Sequence, residues 1–317
     1  MNTDDKIAVC SRSFSRHPDL REELLNSFRH VKFNDEGKSL KGDELVSFLS
    51  GCDGAVIALE TIDEEILKQL PQLKFIGKYG VGLDKLDFSA MDKFNVQLGW
   101  TPGVNAQAVA ELTLALALNI VREIPQANEV AKDGLWTQIK GKQISSMTYG
   151  VIGCGHTGKA LVKLLSAFGC RIMAYDIEDY SEFYYEYRVE AVSLNELLET
   201  SDVISLHVPK NQTTEHMIDH EKISLIKNGA YFINTARGGL VDESALICAL
   251  DRGQLTGAAF DVLEEEPPVD LSLIEHPKVY VTPHIAGSSE EAILAMGQAA
   301  IKGLSEYRNA SYFEKYK

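Results

Sequence analysis

Four short stretches between residues 149 and 287 carry side chains suited to proton and anion chemistry. YGVIGCGHTG spaces Gly153, Gly155 and Gly158 as G-x-G-x-x-G, INTARGG holds Arg237, FDVLEEEPP holds Glu266, and VTPHIAG holds His284. Histidine can give or take a proton near neutral pH. The planar fork of arginine can grip a carboxylate and a neighbouring carbonyl together. A carboxylate beside an imidazole holds the ring and stabilises imidazolium. Taken singly, each has an ordinary reading: a solvated arginine, a glutamate in an acidic run, a structural histidine. Together they supply what hydride transfer to a 2-keto acid requires, a proton donor for the developing alkoxide and a cation for the carboxylate.

The glycine triplet follows an apolar run and opens a helix-like segment. Glycines there allow a tight turn and close backbone approach, so that a dinucleotide pyrophosphate can sit on the exposed N–H groups of a helix start. Asp176 ends the next strand-like run, 18 residues beyond Gly158, where a carboxylate accepts hydrogen bonds from a ribose diol. Its charge repels a 2′-phosphate, which favours NAD over NADP.

These residues need a scaffold of alternating strands and helices. KIAVCS (6–11), GAVIAL (54–59) and LKFIGKYG (73–80) read as buried strands separated by the helices HPDLREELLNSF and DEEILKQL, a small parallel α/β domain. TPGVNAQAVAELTLALALNIVREI reads as one long connecting helix. From residue 148 the alternation restarts with the strands TYGVIG, CRIMAYD, DVISLHV, AYFINTA, GAAFDVL and KVYVTPH, interleaved with amphipathic helices. That pattern fits a doubly wound, Rossmann-type parallel sheet covered on both faces. SEFYYEYR (181–188) reads as a surface loop of packed tyrosines. SSEEAILAMGQAAIKGLSEYR reads as a helix that could return to the first domain. The expected division is residues 1–101 with 287–317, and 102–286.

At 317 residues the chain suffices for two cores. Its 46 acidic against 31 basic residues leave a formal charge of -15, which disfavours nucleic acid and anionic lipid as partners. Five scattered cysteines without a CxxC pair suit reduced thiols and give no metal signature. The N-terminus lacks a signal pattern, and LTLALALNIV (112–121) is too short to span a bilayer. A cytoplasmic protein is expected.

GCGHTG, SDVISLHVP, INTARGGLVDESAL, GAAFDVLEEEPP and VTPHIAGS, in this order, resemble the D-isomer-specific 2-hydroxyacid dehydrogenases, and within them the phosphoglycerate dehydrogenases. The likeness spans roughly residues 50–300. It implies a flavodoxin-like, discontinuous substrate domain beside the NAD domain, and a homodimer formed through the NAD domains. It implies that Arg237 binds the substrate carboxylate and carbonyl, that His284 is the general acid/base and that Glu266 pairs with it. It also implies NAD contacts at Asp176 (ribose) and Asp261 (nicotinamide carboxamide). Further NAD contacts are implied at Gly153, Gly155, His156, Thr157, Gly158, His207, Pro209, Thr214, Thr235, Ala236, His284 and Gly287. KYGVGLDKLD matches the family's substrate loop, which implicates Lys78, Tyr79 and the N–H groups of Val81 and Gly82. VNAQAVAEL matches the connecting helix, which implicates Asn105. GLWTQ (134–138) matches a segment that crosses toward a partner subunit, although burial would account for Trp136 equally well.

Three departures from the family pattern stand out. Phosphoglycerate dehydrogenases usually carry an Arg-Ser pair where this chain reads ALET (58–61), which leaves Lys78 as the candidate cation for a phosphate; a solvated lysine is its ordinary reading. A C-terminal regulatory domain is not expected at this length, and Asn211 stands where many members have threonine. The expected reaction is NAD-dependent oxidation of 3-phosphoglycerate to 3-phosphohydroxypyruvate. The alternatives are an unphosphorylated acid (glycerate, hydroxypyruvate/glyoxylate or D-lactate) and an NAD-sensing binding protein.

Overall fold

The computed structural model describes Thr3–Tyr316, which fold as two units. One runs to Asn105 and resumes at Gly287; the other is Ala106–Ala286. Among the described residues the first unit holds β1 (Lys6–Val9), β2 (His30–Phe33), β3 (Gly54–Ile57), β4 (Phe75–Lys78) and β5 (Gln97–Gly99). They pair in the order β2-β1-β3-β4-β5, every pairing parallel. β2 escapes a reading by hydrophobic runs because HVKF alternates and lies at the sheet edge, where its side chains are only partly covered.

The helix Glu290–Gly303 packs on β4 and β5 and on the helix Pro18–Ser27. Two glycines make that packing possible. A Cβ on Gly77 would fall 2.3 Å from the carbonyl oxygen of Ala300, and one on Gly99 would fall 2.0 Å from that of Gly303. Backbone therefore lies directly on backbone, and an alanine at either position would force the helix off the sheet.

The second unit holds β6 (Thr148–Ile152), β7 (Arg171–Tyr175), β8 (Glu190–Ala191), β9 (Val203–Leu206), β10 (Ala230–Asn234), β11 (Leu255–Phe260) and β12 (Val279–Val281). The order is β12-β11-β10-β9-β6-β7-β8, again all parallel. β6, β9 and β10 are buried almost throughout because both faces are covered. Tyr231 and Ile233 enter one core with Leu116, Ala117 and Leu161, while Phe232 enters the other with Leu197, Leu246 and Leu250.

One expectation is corrected. SEFYYEY forms a helix, Ser181–Tyr187, rather than a loop, because Tyr184 is buried against the core and Lys159 lies 3.4 Å above the Tyr180 ring. The connecting helix forms as Ala106–Val121; Glu123 then takes a left-handed φ of 55°, and a further helix, Ile124–Lys132, follows. Pro125 fits the first turn of that second helix, where its missing N–H is not needed.

Candidate active site

In an all-parallel sheet the C-terminal ends of the strands share one edge, and the second unit places its candidate residues there. β6 leads into Gly153, β7 into Asp176, β9 into His207, β10 into Thr235, Ala236 and Arg237, β11 into Asp261, and β12 into His284. The order reverses where β6 meets β9, so the glycine loop and His207 flank the switch point at which open α/β sheets bind ligands.

The glycine loop fits a dinucleotide. Gly153 has φ 90°, and a Cβ on Gly158 would fall 2.1 Å from the Gly153 carbonyl oxygen, so the helix His156–Ser166 starts hard against the strand end. Above Gly155 a Cβ would meet nothing within 4 Å, which leaves room for a phosphate. Gly155 offers no side-chain cap, so the first-turn N–H groups of His156, Thr157 and Gly158 are presented to a ligand. Asp176 accepts the N–H of Cys154 and, at 2.9 Å, that of Glu178, which fixes its carboxylate at the end of β7.

Around the switch point, His207 Nε2 lies 2.8 Å from Ser205 Oγ, and burial pushes the ring down to about 3, so it is neutral. Its Nδ1 is buried without a partner, an orphaned group suited to a bound polar ligand. Thr214 donates to the Pro209 carbonyl at 2.7 Å, and Asn211 Oδ1 receives the N–H groups of Thr213 and Thr214. Asparagine at 211 thus closes an Asx turn that threonine cannot close in the same way. Thr235 is buried with its hydroxyl 2.7 Å from that of Thr113, and Ala236 donates its N–H to Asn234 Oδ1.

His284 Nδ1 lies 2.7 Å from Glu266 Oε2, and the two side chains are 39% and 38% exposed, open enough for a reactant to reach. Because the carboxylate can only accept, Nδ1 is the donor in this contact, and Nε2 of the neutral ring is the nitrogen left to take a proton. Glu266 Oε1 in turn accepts the Leu263 N–H at 3.1 Å. Arg237, half-buried one residue beyond Ala236, donates from Nη1 to the Ala236 carbonyl, and its own carbonyl accepts from Asn234 Nδ2 at 2.8 Å. The structure therefore joins His284 to Glu266 and sets Arg237 at a strand end two along the sheet.

Asp261 is 1% exposed, and its carboxylate accepts the Thr282 hydroxyl at 2.6 Å and the N–H groups of Ile285 and Ala286, each at 2.8 Å. The His284 N–H donates to the Asp261 carbonyl, and His284 has a left-handed φ of 54°. That conformation is costly for a residue with a Cβ. The Asp261 clamp around the turn maintains it, a role that a reading of isolated motifs does not reveal.

In the first unit, Lys78 is 5% exposed and its Nζ donates to the carbonyls of Ala58 at 2.7 Å and Tyr79 at 3.0 Å. This is no solvated lysine; it braces the ends of β3 and β4. Tyr79 Oη accepts from Ser13 at 3.1 Å. Gly80 turns the chain at φ 92° into Val81 and Gly82, and Trp100 Nε1 holds the Val81 carbonyl at 3.2 Å. Trp100 has no counterpart among the expected residues; its signal was only an aromatic preceding TPG. Asn105 and Gly287 adjoin, since a Cβ on Gly287 would fall 2.8 Å from Asn105 Nδ2.

A family model, the NAD-binding domain of D-isomer-specific 2-hydroxyacid dehydrogenases, matches residues 114–286. The chain belongs to this family of NAD-dependent enzymes. It is 38% identical over 282 residues to D-3-phosphoglycerate dehydrogenase of Methanocaldococcus jannaschii, a match covering 88% of this chain and 54% of that protein. It is 36% identical over 301 residues to glyoxylate reductase of Thermofilum pendens, covering 90% and 81%. Among solved structures, D-lactate dehydrogenase of Aquifex aeolicus in complex with NAD and lactic acid matches with a TM-score of 0.84 at 28% identity, covering 94% of this chain and 93% of that one. NAD is the cofactor the family and the glycine loop share. No described helix is long and apolar enough to cross a membrane.

Proposed function

We propose that the chain interconverts a small D-2-hydroxy acid and its 2-keto acid, and that the acid carries no phosphate. The His284–Glu266 contact carries the reading of the reaction. Bound NAD supplies the hydride acceptor. In the oxidation, His284 Nε2 takes the hydroxyl proton while Glu266 steadies the resulting imidazolium through Nδ1. Arg237 pairs with the substrate carboxylate and carbonyl, placing C2 for the transfer. Gly153–Gly158 and Asp176 hold the dinucleotide.

The absence of a phosphate rests on the C-terminal edge of the first sheet. At the position where the resemblance expects an Arg-Ser pair, Ala58 and Leu59 are followed by Glu60, whose carboxylate accepts the Ala58 N–H at 2.7 Å. The Lys78 ammonium already serves two carbonyls. A dianionic phosphate would meet a carboxylate and a committed cation there. Similarity to an archaeal phosphoglycerate dehydrogenase favours the phosphorylated substrate as a second reading.

The second unit supports a reading of the partner, and the cysteines a reading of the compartment. The helix Ile124–Lys132 buries none of its residues and Trp136 is 96% exposed, which supports a second copy of this chain as its cover. The cysteines are all free thiols, which supports a reducing, cytoplasmic setting.

The test follows NADH absorbance with glyoxylate, hydroxypyruvate, glycerate, D-lactate and 3-phosphoglycerate, on wild type, Lys78→Ala and His284→Asn. The unphosphorylated acids should turn over with the higher kcat/KM, and His284→Asn should lose at least a hundredfold in kcat. A preference for 3-phosphoglycerate that Lys78→Ala abolishes would reverse the substrate assignment. Tight NADH binding without turnover on any of these acids would instead identify a nucleotide sensor.

A further inference from the structure

We propose that Glu243 is a positioning residue that holds the Glu266-bearing loop in register with His284. The inference rests on the reading of His284 and Glu266 as the proton-transfer pair. Glu266 reaches His284 from an exposed loop, and its carboxylate is shared between the Leu263 N–H and the imidazole. A side chain placed in this way is only as well aimed as the backbone at Leu263 and Glu264.

Two contacts aim that backbone. Glu243, half-buried in the first turn of the helix Glu243–Asp251, accepts the Glu264 N–H on Oε1 at 2.8 Å. From the other side, Gly238 lies directly on the Leu263 carbonyl, since a Cβ there would fall 1.9 Å from its oxygen. The carbonyl of Leu263 and the next amide are thus held by the segment that follows Arg237 and by the helix after it. A weaker tie at the rim joins His216 Nε2 to Glu264 Oε1 at 3.3 Å, between exposed groups. Burial raises the Glu243 carboxyl, but the oxygen that faces Glu264 accepts in either protonation state. A chain from Arg237's own segment through Leu263 to Glu266 therefore ends on the imidazole, with Glu243 as its anchor.

The experiment measures kcat, KM and NADH affinity for Glu243→Gln, Glu243→Asp and Glu243→Ala, each alone and combined with Glu266→Gln, with the best acid of the panel above. Glutamine keeps a carbonyl oxygen at the same reach and should work near the wild-type rate. Aspartate and alanine lose the contact, and kcat should fall about 5–10-fold, the worth of one hydrogen bond, with KM and NADH affinity unchanged. In the Glu266→Gln background neither should cost more, because Glu243 acts through Glu266. Aspartate keeps the charge at the helix start, so it remains informative if alanine fails to fold. Wild-type kcat in the aspartate variant, or losses that multiply with that of Glu266→Gln, overturns the inference. Wild-type turnover in Glu266→Gln alone removes the proton-transfer pair itself, and this inference with it.

Discussion

Asp261→Asn should disable the His284 turn while leaving the fold intact. In the native protein three donors converge on one buried carboxylate: the Thr282 hydroxyl and the amides of Ile285 and Ala286. Asparagine can keep Oδ1 toward Thr282 and Ile285, but its Nδ2 then sets N–H groups against the N–H of Ala286. One charge-assisted bond is lost, worth about 1.5–3 kcal/mol, and a buried donor is left unpaired. The turn it holds keeps His284 at φ 54°, a conformation that costs about 1–3 kcal/mol and persists only under constraint. Relaxing it should shift the population by about 2–3 kcal/mol toward turns in which the imidazole is misplaced, a drop of roughly 30–150-fold in kcat. The assay is initial-rate NADH oxidation with saturating keto acid, beside a fluorescence titration of NADH and a thermal melt. A large loss in kcat with Tm within a few degrees supports the clamp. A variant within twofold of wild type would show that His284 keeps its place without the carboxylate.

His207 predicts an acid sensitivity. Its folded value, about 3, lies far below the ordinary 6.5, so between those pH values the unfolded chain binds one more proton than the folded chain. Stability is then full above pH 7 and declines on acidification, by up to about 1.4 kcal/mol per pH unit. Urea unfolding at pH 7.5 and pH 5 should show a smaller acid penalty for His207→Gln than for wild type, and equal penalties would show that the ring is not the source. Trp136→Ser tests the proposed pairing of copies: burying an indole of about 150–250 Å² is worth about 5 kcal/mol, so a dimer that covers it should weaken more than a hundredfold. Light scattering across micromolar concentrations should report a lower mass for the variant than for wild type; equal masses would show that Trp136 lies in no interface between copies.

Much of this protein can be read along the chain. The G-x-G-x-x-G spacing before a helix, Asp176 at the next strand end, and Arg237, Glu266 and His284 in order follow from local chemistry. Each depends on neighbours only a few residues away, or on the rule that parallel strands present their C-terminal ends together. Strand burial is legible for the same reason, because a strand covered on both faces must be apolar throughout, as in AYFIN.

What the order of residues does not reveal is where a polar side chain spends its hydrogen bonds. Lys78 looks like a solvent-facing cation until the fold sets the Ala58 carbonyl, twenty positions earlier, within 2.7 Å of its ammonium. SEFYYEY looks like a loop until the core takes up Tyr184. Asp261 and Glu243 carry no catalytic signature, yet parallel pairing of β11 with β12 brings the first beneath His284, and packing of Gly238 on Leu263 brings the second to the Glu266 loop. Such contacts join residues about twenty positions apart, and close approach of buried backbone selects them; side-chain type alone leaves them open.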